Sequence, residues 1–143
     1  MTAKEYLSRI RRQNFILKQT EHELTEIRSD ILTIRASSLA EHVSGSKNSD
    51  VADKYIRLEQ YMDKVNHEWD ILINMRMEAK AMIKALPDPQ HQAVLYARYI
   101  NGLRWEAIAV EMGYSWKGVF KIHGQALQAF EQVHHDALAS KGS

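Results

Sequence analysis

From Ala3 to about Ala36, apolar residues recur every three and four positions. Ala3, Tyr6, Ile10, Leu17, Leu24, Ile27, Ile31 and Ile34 hold the two inner positions of successive heptads, with Gln13 and Thr20 interrupting the seam. A helix of that span is on the order of 50 Å long, more than a small domain needs, so its stripe has to be buried against another long helix. Val51, Tyr55, Leu58, Met62, Val65, Trp69, Leu72, Ala79, Ile83 and Leu86 supply the partner, with Arg76 as the single polar intruder. Between the two runs, residues Ser37 to Asp50 lose the periodicity and gather Ser, Gly, Asn and Asp, which predicts a loop with Ser49 or Asp50 capping the second helix. The two helices then make an antiparallel, coiled-coil-like hairpin. Ile10, Leu17, Leu24, Ile31, Leu58, Val65 and Leu72 are its positions for internal packing and for an oligomer seam, and Trp69 and the methionines are expected in its core.

The second helix has to stop at Leu86-Pro87-Asp88-Pro89. Pro87 disfavours helical geometry at the residue before it, Asp88 is a natural N-cap, and Pro89 suits the first turn of a new helix. This short helix, from about Pro89 to Ile100, buries Val94, Leu95 and Tyr99 and ends at Asn101-Gly102. Residues 105–124, WEAIAVEMGYSWKGVFKIHG, then carry the pattern of a helix-turn-helix. Ala109 is the small residue at the crossing and Gly113 the turn residue tolerant of positive φ. Ile108, Met112, Val119 and Ile122 are the apolar plugs, and Ser115 is the N-cap of the second helix. That helix runs to the early 130s. The expected organisation is all-α: residues 1–86 a helical hairpin for oligomerisation, 87–136 a helix-turn-helix domain hinged at residues 86–89, and 137–143 a flexible tail.

Composition narrows the function classes. The chain of 143 residues has 19 Lys and Arg against 18 Asp and Glu, a net charge of +1, so affinity for nucleic acid has to come from a local patch. Without cysteine there is no disulfide, thiolate metal site or thiol nucleophile. Apolar runs are short, the start MTAKEYLSRIRRQ lacks the continuous apolar core of a secretory signal, and the expected location is the cytoplasm, away from membranes. Neither a phosphate-cradling glycine loop nor a serine-nucleophile motif occurs, which predicts a protein that is no enzyme and takes no cofactor. His134, His135 and Asp136, or His91 and His123, lack metal-ligand spacing, and His67-Glu68 is followed by Ile71 where a zinc-protease motif needs histidine. His123 is expected on an ordinary helix face.

The stretch from Leu86 to Phe130 resembles region 4 of primary-type sigma factors. The likeness is carried by Leu86, Pro87, Arg98, Tyr99, Gly102, Leu103, Glu106, Ile108, Ala109, Met112, Gly113, Val119, Ile122, His123, Ala126 and Leu127. With two heptad-bearing helices in front, the whole chain resembles phage and prophage transcriptional regulators of the ArpU/RinA type. The resemblance implies control of phage gene transcription in a bacterial host cell.

A helix-turn-helix places its second helix in the major groove. Ser115, Trp116, Lys117, Phe120, Lys121, Gly124 and Gln125 share the outer face of that helix, and Arg104 precedes the first helix where it meets a flanking phosphate. Trp116 and Phe120 stand where the resembled family usually has polar side chains, and so suit either thymine methyls or a protein surface. Lys4, Arg9, Arg11, Arg12 and Lys18 form a second basic cluster, a candidate DNA contact or a solvated face. The expected function is a sequence-specific regulator binding double-stranded DNA as a homodimer. An adaptor for RNA polymerase or another protein is the alternative, and a DNA-packaging accessory is a third reading.

Overall fold

The computed structural model describes the backbone of residues 1–41 and 45–142, and the side chains of these outside residues 38–49. The fold is all-α. Helix α1 spans Ala3–Glu41 and α2 Gly45–Lys84. Helix α3, Pro89–Leu95, runs on through a π-helical turn at Tyr96–Ile100, and α4 (Trp105–Met112), α5 (Trp116–Val133) and α6 (His135–Lys141) come after it, with no strand among the described residues. A capping box starts α1: Glu5 N donates to Thr2 Oγ1 at 3.1 Å and Thr2 N donates to Glu5 Oε2 at 2.9 Å. Both long helices extend into the stretch expected to be a loop. Ser49 and Asp50 therefore lie inside α2 rather than at its cap. Losing the apolar stripe removes a buried seam but leaves the backbone helical, because Ser or Asn costs under about 1 kcal/mol in a helix already propagating. Residues 42–44 of that expected loop lie outside the described residues.

The chain divides into two compact units, Met1–Gln13 with Leu72–Ser143, and Asn14–Ile71. This differs from the expected division at residues 86–89, since the first unit takes in both the start of α1 and the end of α2. Hydrogen bonds tie the segments on either side of residues 86–89 together. The Gln92 side-chain amide donates to the Leu86 carbonyl at 2.6 Å, covering an acceptor left open where α2 stops, and Arg76 Nη1 donates to the Ile100 carbonyl at 2.6 Å. His134 Nε2 lies 2.6 Å from the Met82 carbonyl, and Ala3 N donates to Glu131 Oε1 at 3.0 Å. Tyr6 stacks on Phe130 with ring centroids 5.9 Å apart. Arg76, the intruder in the apolar stripe, is thus the partner of a carbonyl freed at the π-turn. Residues 137–141, expected to fray, are helical: Leu138 is buried and Lys141 Nζ sits 2.9 Å from Glu78.

In the unit Asn14–Ile71 the two helices run antiparallel. Trp69 Nε1 donates to Glu21 at 3.0 Å, Lys54 donates to Asp30 at 3.5 Å and Arg35 donates to the Tyr55 hydroxyl at 3.2 Å. Leu17, Leu24, Ile31 and Val65 are buried between them. Thr20 is buried too, its hydroxyl donating to the Ile16 carbonyl at 3.1 Å. The inner positions of α2 correct the sequence reading. Glu68 is buried while Tyr55, Met62 and Trp69 stay 40%, 40% and 43% exposed, so the helix turns the flank containing 61 and 68 inward and leaves 55, 62 and 69 outside. Polar side chains at inner positions disguised that flank. The placement of Trp69 and Met62 in the core is therefore wrong, as it is for Met77, which is 65% exposed.

Candidate nucleic-acid interface

The turn at residues 113–115 sets how α5 is presented. Gly113 adopts φ 70°, ψ 29°, the left-handed region where a side chain would be strained. The turn closes with Tyr114 N donating to the Ala109 carbonyl at 3.0 Å, the six-to-one bond that seals a helix ending in glycine. Gln90 Nε2 donates to the Tyr114 hydroxyl at 2.5 Å, tying the turn to α3. Ser115, extended at φ −71°, ψ 164°, accepts from Gly118 N on its Oγ at 3.1 Å and caps α5. Ile108, Ala109 and Val119 are buried as expected. Met112 and Ile122 are only half-buried, and the missing inner position on α5 is His123.

His123 is the largest correction in this region. Rather than lying on an open helix face it is 8% exposed, with Nε2 2.8 Å from the Tyr99 hydroxyl and its ring 4.6 Å from that of Trp105. Burial, with the positive charges of Lys4 and Arg98 adding to it, lowers its pKa from 6.5 to about 4. The same burial raises the pKa of Tyr99. A neutral imidazole and a protonated phenol are therefore the states that fill this core position near pH 7.

Opposite the buried line of Val119, His123, Ala126 and Phe130, the structure brings the predicted residues onto one open face. Ser115, Lys117, Lys121, Gly124 and Gln125 are exposed, Trp116 is 51% exposed and Phe120 45%. The two aromatic side chains are already organised, with ring centroids 6.2 Å apart, and Phe120 also lies 5.0 Å from Trp105. No acidic residue stands in the first turn of α5, so its open amides and the positive end of its dipole stay uncompensated beside Lys117. No Cβ-sized obstacle surrounds Gly124, which leaves the backbone accessible there. Arg104 is exposed at the residue before α4, in extended backbone. Local chemistry on this face suits hydrogen bonding, anion contact and apolar contact.

Of the second basic cluster, Lys4, Arg11 and Arg12 come together on one side of α1, Arg9 turns its guanidinium over the Tyr6 ring at 5.8 Å, and Lys18 belongs to the other unit. Sequence reading missed Arg98 and Trp105 as members of that surface. Arg98 lies 4.4 Å over the Trp105 ring and donates to the Leu103 carbonyl at 2.9 Å, just past the π-turn and Gly102, which adopts φ 69°. The histidines considered for a metal are placed separately. His91 lies 3.6 Å from Asp88, His134 meets the Met82 carbonyl and His123 meets Tyr99. Among the described residues no group of three or more potential ligands converges, and no helix is long and apolar enough to cross a membrane.

The seven residues expected to serve internal packing and an oligomer seam take the first of these roles within the chain. Ile10, Leu17, Leu24, Ile31, Val65 and Leu72 are buried within the single chain and Leu58 is half-buried, so they hold helix to helix inside one molecule. A family model described as a protein of unknown function (DUF1492) matches residues 33–131. Neither the curated proteins nor the solved structures contain a significant match.

Proposed function

We propose that this chain, which belongs to the DUF1492 family, is a sequence-specific regulator of transcription that inserts α5 into the major groove of double-stranded DNA. The observation that carries the reading is the open face of α5, with Lys117, Lys121 and Gln125 exposed behind a capped, acid-free first turn. Gln125 and the two lysines supply base-edge and phosphate contacts, and Arg104 supplies a flanking one. The resemblance to sigma region 4 and to ArpU/RinA-type regulators adds phage genes as the target and the bacterial cytoplasm as the place.

A single copy offers few phosphate contacts, which favours a homodimer. Tyr55, Met62 and Trp69, spaced by seven and partly exposed in the single chain, are the stripe available to a second copy. Fluorescence anisotropy against fragments selected from phage DNA tests the function. The wild type should bind with a steep salt dependence, and Lys117→Ala with Lys121→Ala should weaken binding by about tenfold or more. Unchanged affinity of the double variant removes α5 from the interface.

The half-exposed, mutually packed Trp116 and Phe120 favour a second reading, an adaptor that binds RNA polymerase through these rings. Under that reading polymerase co-purifies after nuclease treatment, and Trp116→Ala with Phe120→Ala abolishes the association.

A further inference from the structure

Lys4, Ser8, Arg11 and Arg12 repeat at helical spacing and so stand on one face of α1. Together with Arg98 at the π-turn, this face lines a cleft of about 390 Å³ whose far wall is aromatic, made by Trp105 and Phe120. No carboxylate lines it. Arg11 Nη1 donates to the Arg98 carbonyl at 3.5 Å, and the Arg11 charge acts on the Arg98 guanidinium, which sits over the Trp105 ring. Burial lowers the pKa of Arg98 and the charge of Arg11 lowers it further, while Glu106 nearby offsets only part of this. Positive charge is therefore concentrated here against its own repulsion, and an anion in the cleft relieves it.

Two features identify the anion. Phe120 belongs both to the wall of the cleft and to the open face of α5, so the cleft opens onto the surface that meets the duplex. From Pro89 onward, Arg98, Arg104, Lys117, Lys121 and Lys141 are nearly balanced by Glu106, Glu111, Glu131 and Asp136. The duplex-facing region thus needs cations from elsewhere, and α1 brings three of them to the neighbouring cleft. Lys4, Arg11 and Arg12 also lie outside the stretch covered by the family model, where sequence comparison would not draw attention to them.

We propose that the cleft is a phosphate clamp: Lys4, Arg11, Arg12 and Arg98 hold a backbone phosphodiester of the same duplex whose groove α5 enters. The proposal rests on the DNA-binding reading and extends the interface to the first helix. It acts on position and affinity rather than on sequence choice, since phosphates carry no base identity.

The test compares the wild-type chain, the triple variant Lys4→Ala/Arg11→Ala/Arg12→Ala and the double variant Lys117→Ala/Lys121→Ala. Binding to several duplexes is measured by anisotropy over a series of NaCl concentrations, with circular dichroism to check folding. The three substituted side chains of α1 are exposed, so the variant should keep its fold. The clamp predicts a loss of about tenfold, equal on every duplex, and a slope of log K against log [NaCl] reduced by about 1 to 2. An unchanged slope in the triple variant, alongside weakened binding by the double variant, overturns the clamp and leaves the role of α5 standing. A wild type without salt-dependent duplex binding overturns both. Inorganic phosphate provides the last arm, read by the indole N–H resonance of Trp105. A phosphate-induced shift together with an unchanged duplex slope assigns the cleft to a free anion and overturns the clamp.

Discussion

His123 shows how one buried side chain links the core to pH. In the unfolded chain its imidazole takes up a proton near the ordinary value of 6.5, and in the folded chain only near about 4. Between those values the unfolded state binds more protons, so stability falls as pH drops from about 6.5 to about 4 and the contribution is complete above that window. A shift of this size corresponds to as much as about 3 kcal/mol. Chemical denaturation of the wild type at pH 7 and pH 4 should show the loss, and His123→Gln, which keeps a neutral polar partner for Tyr99, should show a flatter profile at a lower overall stability. Equal pH dependence in the two proteins would mean that the imidazole takes up its proton in the fold as readily as in the unfolded chain. Polar residues that occupy inner helical positions are easily assigned to the surface by periodicity alone, as His123 and Glu68 are, whereas Thr20 falls on the inner seam that the periodicity marks. Each is buried with a polar group to satisfy, and nothing in a single sequence names the Tyr99 hydroxyl or the Ile16 carbonyl as the partner.

At the scale of elements, boundaries set by backbone chemistry were legible and those set by packing were not. Asp88, Pro89, Gly113 and Ser115 stand where their dihedral preferences and capping atoms require, and the structure uses each of them accordingly. The Thr2–Glu5 capping box is equally present in the sequence as a Thr-x-x-Glu pattern, but it lies ahead of the apolar periodicity, which starts at Ala3. The π-turn at Tyr96–Ile100 has no such signature. Arg76 and Arg11, remote in sequence, reach the Ile100 and Arg98 carbonyls left open where this turn ends the helix. Helix α6 is likewise a product of packing. Its seven residues are too few to be helical alone, and Leu138 and Lys141 anchor it to the first unit. Leu138→Ala should cost about 2 to 4 kcal/mol in urea denaturation, as expected for truncating a buried leucine. A cost below about 0.5 kcal/mol would show that α6 is undocked in solution.

At the scale of the whole molecule, the heptad pattern predicted two long antiparallel helices correctly, but it could not decide between packing within a chain and packing between chains. The same spacing serves both, because an inner position records only that something covers it. The structure places Leu17, Leu24, Ile31, Val65 and Leu72 inside the chain, which leaves assembly to side chains outside the intramolecular seam. Tyr55, Met62 and Trp69 border that seam with partly exposed side chains, one every seven residues, on the flank of α2 next to the buried positions, although Tyr55 and Trp69 also bond to Arg35 and Glu21 of α1. Scattered exposed apolar residues need no explanation, but a row with heptad spacing matches the geometry of one helix meeting another. Placing a carboxylate in the middle of the row separates the two roles. Met62 is 40% exposed and outside the buried core, so Met62→Glu should leave the thermal midpoint within a few degrees of the wild type. Light scattering should nonetheless change from the mass of two copies to that of one, and duplex affinity should fall with it, because a monomer loses half of the phosphate contacts. A variant that remains dimeric places the contact between copies on another surface, and a wild type that is already monomeric leaves the proposed DNA contacts to α5 and the basic face of α1 alone.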